Sequence, residues 1–213
     1  MPGYLTWLNA RLLEMKRLLK PTGSICVHLD WHASHYVKIE MDKIFGYECF
    51  RNEIVWHYTG GGRSKKYFSK KHDILLWYSY GQFWTFNIDT IRIPYKETSG
   101  YARGGIVSAA GKHYTPNSKG TPIDDVWDIP IINPLAHERL GYPTQKPEVL
   151  LERIIGVSSN ENDIVFDPYM GSGSVALSAQ ILGRKWFGCE LEPKYCAIAE
   201  ARIAAERRQL KLF

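Results

Sequence analysis

The chain has few cysteines, no long apolar run and no repeat. Its four cysteines, Cys26, Cys49, Cys189 and Cys196, include no C-x-x-C pair. That spacing argues against a zinc site, and in a chain of 213 residues the four read as reduced, mostly buried thiols. No window approaches the roughly 18 consecutive apolar residues that a bilayer-spanning helix needs, and the N-terminus lacks the charged, apolar, small-residue order of a signal peptide. No internal repeat occurs at any period. These absences predict a soluble, cytoplasmic chain with no membrane partner. What is present fits one globular domain with a sizeable core and an insertion, since 45% of residues are hydrophobic and 23% charged. The net charge of +5 and a pI near 8.9 are compatible with a polyanionic partner without requiring one.

Apolar residues Tyr4, Leu5, Leu8, Leu12, Met15, Leu18 and Leu19 recur at helical spacing, and Lys20-Pro-Thr-Gly23 ends that helix. A buried strand is predicted at Ser24–Leu29 and a helix at Ser34–Phe45, stopped by Gly46. Residues 52–58 and 73–80 are rich in Ile, Val, Trp and Tyr and read as an antiparallel strand pair joined by a glycine and lysine loop. Periodicity then fades over residues 81–142, which read as an irregular, aromatic-bearing insertion. Pro147 stands at a first-turn position, ahead of a helix carrying Val149, Leu150, Ile154 and Ile155. A strand at 164–166, a helix at 174–182 ended by Gly183, a strand at 185–189 and a helix at 193–208 complete the pattern. The chain thus divides into an α/β part at 1–80, the insertion at 81–142 and a second part of the same α/β domain at 143–213.

The segment Ile164-Val-Phe-Asp-Pro-Tyr-Met-Gly-Ser-Gly-Ser-Val-Ala176 runs from a strand through a glycine loop into a helix, and Glu190 closes the next strand. This is a nucleoside-cofactor cradle, in which glycines let the backbone approach a ligand and strand-end carboxylates hold ribose hydroxyls. Gly171-Ser-Gly-Ser-Val-Ala176 satisfies G-x-G-x-x-[G/A], so a dinucleotide is one reading. Two features oppose it. The cradle comes last in the chain, and Asp167-Pro168 puts a carboxylate where a pyrophosphate would be repelled. S-adenosylmethionine, which has no phosphate and carries a sulfonium and an ammonium, fits better.

The stretch Asp167-Pro-Tyr-Met-Gly-Ser-Gly-Ser174 resembles the cofactor motif D-P-F-x-G-S-G-T of amino-group DNA methyltransferases. Thr144-Gln-Lys-Pro147 is similar to the motif preceding that loop, and Asp124-Asp-Val-Trp-Asp-Ile-Pro130, Leu19-Lys-Pro-Thr-Gly-Ser24 and Asn52-Glu-Ile-Val-Trp56 are similar to further segments of the family. The order matches the beta group, in which the catalytic region precedes the cofactor region. The resemblance implies a Rossmann-like methyltransferase fold with a central, mostly parallel sheet, circularly permuted in motif order and incomplete at its N-terminus. It implies that Asp167, Pro168, Tyr169, Gly171 and Gly173 wrap the methionine end of S-adenosylmethionine, with Thr144, Gln145 and Lys146 beside it, and that Glu190 binds the ribose.

The family activates the target amine with a [D/N/S]-P-P-[Y/F/W] loop, whose polar side chain and carbonyl accept from the amine while the aromatic stacks on a flipped base. This chain contains no such tetrad. No catalytic residue is therefore assigned, and Met1 falls after the place where the family carries that loop. A truncated chain, a complementing subunit and a degenerate remnant are the open explanations. Undamaged remaining motifs favour the first.

Double-stranded DNA is the implied partner. Arg63, Lys65, Lys66, Lys70 and Lys71 sit in one loop with two aromatics, a composition suited to phosphates. Arg92, Lys96, Arg103, Lys112 and Lys119 offer further contacts from the insertion. His28, His32 and His35 straddle a strand and a helix start without a carboxylate motif, so no metal is expected. Asp30, at the end of the first strand, is a helix cap or a substrate-side group. The expectation is a DNA amino-methyltransferase fragment acting on adenine N6 or cytosine N4, adenine being favoured. A binding subunit completed by a methyltransferase or restriction partner, or by a second copy, is the first alternative. An NAD-dependent oxidoreductase is the second.

Overall fold

The computed structural model describes residues 1–136 and 138–210, with side chains in the last helix described to Glu206. Helix α1 (Pro2–Leu18) turns Leu8 and Leu12 inward. It packs beside α2 (Ser34–Phe45), whose Val37, Met41 and Phe45 recur at three- and four-residue spacing. Between them in sequence lies β1 (Ser24–Leu29). Strands β2 (Phe50–His57) and β3 (His72–Ser79) follow. In β3 the period of two sorts Ile74, Leu76 and Tyr78 into a core with α1 and α2. Leu75 and Trp77 point the other way, into a second core with Ile54, Trp56 and Ile91. Being buried on both faces, β3 lies inside the sheet, while the half-polar β1 lies at an edge.

The stretch 81–142 is built of short pieces. Arg92–Ile93 pairs with Thr121–Pro122, Ile106–Val107 pairs with His113–Tyr114, and Gly100–Gly104 forms one helical turn. Its later part does not stand apart, because β4 (Val126–Asp128) adds in parallel to β2. Helix α3 (Glu148–Ser158) then covers the second core with Leu150 and Val157, and Pro147 is its N-cap, one residue earlier than the sequence pattern implied. The chain ends with β5 (Ile164–Asp167), α4 (Ser174–Ile181), β6 (Lys185–Gly188) and α5 (Pro193–Leu210). Arg202 ties α5 to both neighbours, donating to Ser174 Oγ at 2.8 Å and pairing with Glu148 of α3.

The architecture is α/β, but the strand directions differ from the mostly parallel expectation. The four-stranded sheet runs β1-β3-β2-β4 with β3 antiparallel to both neighbours, and only β2 with β4 and β5 with β6 are parallel. The reason is local: β2 and β3 are joined by a loop with no crossover helix, which allows only an antiparallel pair. The β5-β6 ribbon is a separate sheet. Among the described residues no strand bridges β1 and β5, yet Lys20, just before β1, reaches Asp163, just before β5, at 3.3 Å. At the other end Trp7 of α1 packs 5.7 Å from Tyr169, just after β5. The two strands therefore present open edges under the same helix.

Candidate functional site

The glycine loop between β5 and α4 is held by its own backbone and by Glu190. Met170 N donates to Cys189 O at 2.9 Å and Tyr169 N to Asp167 Oδ1 at 2.9 Å. Gly171 N donates to Glu190 Oε2 at 2.9 Å, while Glu190 Oε1 accepts from Leu191 N and Glu192 N at 2.9 and 3.0 Å. Glu190 thus fastens the loop, and Oε2, with one bond, keeps a lone pair for a ligand hydroxyl. Gly171 and Gly173 have φ of +52° and +76°, the left-handed region that favours glycine. The sequence reading assigned the glycines to close ligand approach. On the protein side, a Cβ on Gly171 would lie 2.7 Å from the Tyr142 ring, and one on Gly173 would lie 2.7 Å from Ala199 Cβ of α5. The protein itself uses those close approaches.

Asp167 stands at the β5 end. Burial first, and the nearby Glu190 charge second, push its carboxyl above the usual range, against the Tyr169 amide and the Lys146 charge. Tyr169 is about half exposed beside Trp7, and Pro168 is half-buried next to Asp167. Lys146 donates to Thr144 O at 2.7 Å. Burial pulls its ammonium below the usual value, opposed by the attraction of both Asp73 and Asp167. Thr144 is exposed. Gln145 is turned into its own loop, accepting from Leu140 N and donating to Glu138 O, so its side chain braces the segment.

Beside the loop lies a cavity of about 410 Å3, with His28, Asp30, Tyr58 and Asp73 on the strand side and Tyr142 and Lys146 opposite. His28 Nε2 shares a 2.9 Å hydrogen bond with Asp73 Oδ2, and Tyr58 donates to Asp73 Oδ1 at 3.2 Å. Burial alone would raise the Asp73 carboxyl, but these bonds and the Lys146 charge hold it below the usual range. Tyr58 is pushed up to about 12 by burial and then by Asp73 and Asp30, so it remains a donor at neutral pH. Two residues join cavity and loop: Lys146, attracted to both Asp73 and Asp167, and Tyr142, which touches Gly171 and meets Tyr195 edge-on at 4.7 Å. A second cavity, about 340 Å3, lies in the apolar core around Trp77, Ile91 and Trp127 and contains none of the predicted site residues.

Sequence reasoning missed Tyr58, Asp73 and Tyr142. A signal existed for the first two, since the predicted antiparallel pair brings residues 58 and 73 to the same sheet end. Asp30 caps no helix directly, because the N-cap of α2 is Ala33. Its carboxylate instead accepts from His32 N at 3.0 Å and from the His32 ring at 2.8 Å. His28 and His32 are therefore both committed to carboxylates.

The basic loop between β2 and β3 is ordered by Ser64, whose N donates to Ser69 Oγ at 3.0 Å and whose Oγ accepts from Lys66 N and Tyr67 N. Lys71 closes it by donating to the carbonyls of Gly60 and Gly62, and Lys70 Nζ lies 3.3 Å from the centroid of the Trp31 ring. Arg63, Lys65 and Lys66 are exposed and have no ion pair among the described residues. The insertion cations are less available than their sequence suggested, because Arg92 and Lys119 both pair with Asp89.

A DNA methylase family model of the N6/N4 methyltransferase type matches residues 1–201. The type II methyltransferase M.HpaI of Haemophilus parainfluenzae is 33% identical over 204 residues, covering 95% of this chain and 60% of that protein. The DNA adenine methyltransferase YhdJ of Escherichia coli is 32% identical over 202 residues, covering 94% and 67%. The chain thus spans about 60% of the length of the first of these relatives. Among solved structures, the M1.HpyAVI-SAM complex superposes with a TM-score of 0.63 at 24% identity, over 92% of this chain and 83% of that one. The cytosine-N4-specific PvuII DNA methyltransferase does so with a TM-score of 0.70 at 18% identity, over 93% and 70%.

Proposed function

The chain belongs to the DNA methylase family, and from that premise we propose that it holds S-adenosylmethionine in the loop after β5 for methyl transfer to an exocyclic amine of a DNA base. The observation that carries this reading is the pair of strand-end carboxylates at the loop: Glu190 accepts from the Gly171 amide, and Asp167, which accepts from the Tyr169 amide, is held above its usual range by burial and by the Glu190 charge. An anionic dinucleotide would meet two carboxylates there, whereas a sulfonium and an ammonium relieve the charge. Thr144 and Lys146 serve the carboxylate end of the methionine, and the spare lone pair of Glu190 serves a ribose hydroxyl. Bound in this loop, S-adenosylmethionine supplies an electrophilic methyl group. The protein's part is to orient, to exclude water and to hold protons.

The neighbouring cavity is the proposed seat of the target base. Asp73 cannot itself take the amine proton readily, since His28 and Tyr58 already donate to it. Its role is to hold His28 and Tyr58 in place, as Asp30 holds His32 at the same end of the sheet. We assign adenine N6 as the acceptor, by analogy with the DNA adenine methyltransferase YhdJ. The three uncompensated cations of the basic loop hold duplex phosphates, and the reaction belongs in the cytoplasm, where DNA and the methyl donor meet.

A second reading, that the amine-activating tetrad comes from elsewhere, is favoured by one observation. The open edges of β1 and β5, and the exposed Ile164, Phe166 and Phe187 of the β5-β6 ribbon, suit the addition of a strand and its flanking elements. The test is transfer of tritiated methyl groups from S-adenosylmethionine to duplex DNA by this chain alone and by its mixture with a D-P-P-Y-bearing partner polypeptide. Label in the mixture only supports a complementing subunit. Label with neither, when the chain is shown to be folded, overturns the methyltransferase reading.

A further inference from the structure

The basic loop carries a feature that phosphate contacts do not explain: Phe68 is 99% exposed and Tyr67 67% exposed, although the backbone around them is ordered. A phenylalanine held fully in water by a structured loop forfeits the burial that its ring offers, so its position suits a surface that arrives from outside. The charge beside it says what that surface is. Arg63, Lys65 and Lys66 lie within five residues of Phe68, are exposed and have no acidic partner among the described residues.

The loop is also placed to act on the cavity. It leaves the sheet at His57 and returns at His72, next to Tyr58 and Asp73 in the cavity wall. Lys70 stacks on Trp31, the residue after the cavity-lining Asp30, so the loop is fastened to the cavity rim on a second side. Lys71 is spent on the carbonyls of Gly60 and Gly62, which fixes the base of the loop.

We propose that Phe68 is a wedge, inserted between base pairs of a bound duplex where it fills the space from which a base is withdrawn toward the cavity. Apolar side chains inserted between base steps unstack and kink a duplex, and a base held out of the stack leaves a gap that an aromatic ring can occupy. Phe68 is on this view a positioning residue that acts on the DNA rather than on the reacting atoms. The inference rests on the duplex-binding reading above.

The experiment measures the affinity of the full chain for a duplex and for the same duplex with one central abasic site, at low salt, by fluorescence anisotropy. The wild type is expected to prefer the abasic duplex by roughly 5- to 150-fold, the range that base-aromatic stacking contributes. Phe68→Ala loses that preference while binding the intact duplex nearly as before, and Phe68→Trp restores it. Equal preference in wild type and Phe68→Ala, or no preference in the wild type, overturns the wedge while leaving duplex binding intact. No binding to either duplex overturns the DNA reading and the wedge with it.

Discussion

Replacing Asp167 by Asn changes charge at constant shape, and the structure predicts opposite effects on binding and on stability. The 2.9 Å bond from Tyr169 N to Asp167 Oδ1 survives, because an amide oxygen accepts as a carboxylate oxygen does. The negative charge is lost. A hydrogen bond to a charged group is worth about 1.5–3 kcal/mol, so S-adenosylmethionine should bind about 10- to 150-fold more weakly. Stability moves the other way. The folded carboxyl titrates above its ordinary value, chiefly because of burial, so between the unfolded and folded values the native state holds more protons than the unfolded chain. Stability from this group is then full below the unfolded value and falls as pH rises through the folded one. Asp167→Asn removes that fall, leaving the variant more stable than the wild type at pH 7.5 and equal to it in acid. Calorimetric titration gives the first quantity, and urea unfolding at several pH values gives the second. A variant that binds as tightly as wild type, or that is less stable at pH 7.5, refutes the reasoning.

Gly173→Ala meets both a left-handed backbone, φ +76°, and Ala199 Cβ 2.7 Å away. About 1–2 kcal/mol of backbone cost and 1–3 of overpacking predict a loss of roughly 2–5 kcal/mol in urea unfolding, and a loss under 1 contradicts the packing. The triple variant Arg63→Ala, Lys65→Ala, Lys66→Ala should reduce the slope of log affinity for duplex DNA against log salt by about 2.7. Arg92→Ala should change it far less, because that guanidinium is mostly buried and already paired with Asp89. Cys26, half-buried and with its thiol pushed up to about 12 by burial, should react with thiol reagents more slowly than the exposed Cys189. Simultaneous labelling of both in the folded chain would contradict the burial.

Much of this is legible in the sequence. The strands Ser24–Leu29 and residues 52–58 and 73–80 announced themselves by apolar content, and Ser34–Phe45 by its period and its terminal Gly46. The antiparallel pairing of β2 with β3 is legible in their short connection, but the order of the sheet is not, because β3 enters between β1 and β2, a long-range choice that no local pattern encodes. The loop after β5 is readable because Asp167 meets Tyr169 two residues on and Glu190 closes the strand that follows α4. Which surface the glycines approach is not, since Tyr142 and Ala199 come from distant segments. The His28, Tyr58 and Asp73 cluster assembles from three strand ends 15 to 45 residues apart, so each looked unremarkable alone. Lys119 reads as a free cation because Asp89 meets it only after the chain folds back 30 residues, whereas the Arg92 pairing with Asp89 is three residues long and open to a sequence reading.

The central claim is that the loop after β5 is built for a cationic methyl donor. Titration of the folded chain with S-adenosylmethionine and, separately, with NAD in a calorimeter tests it most directly. The account predicts one micromolar-range site for S-adenosylmethionine and no measurable heat from NAD. Binding of NAD, or the absence of S-adenosylmethionine binding by a chain shown to be folded, would contradict it.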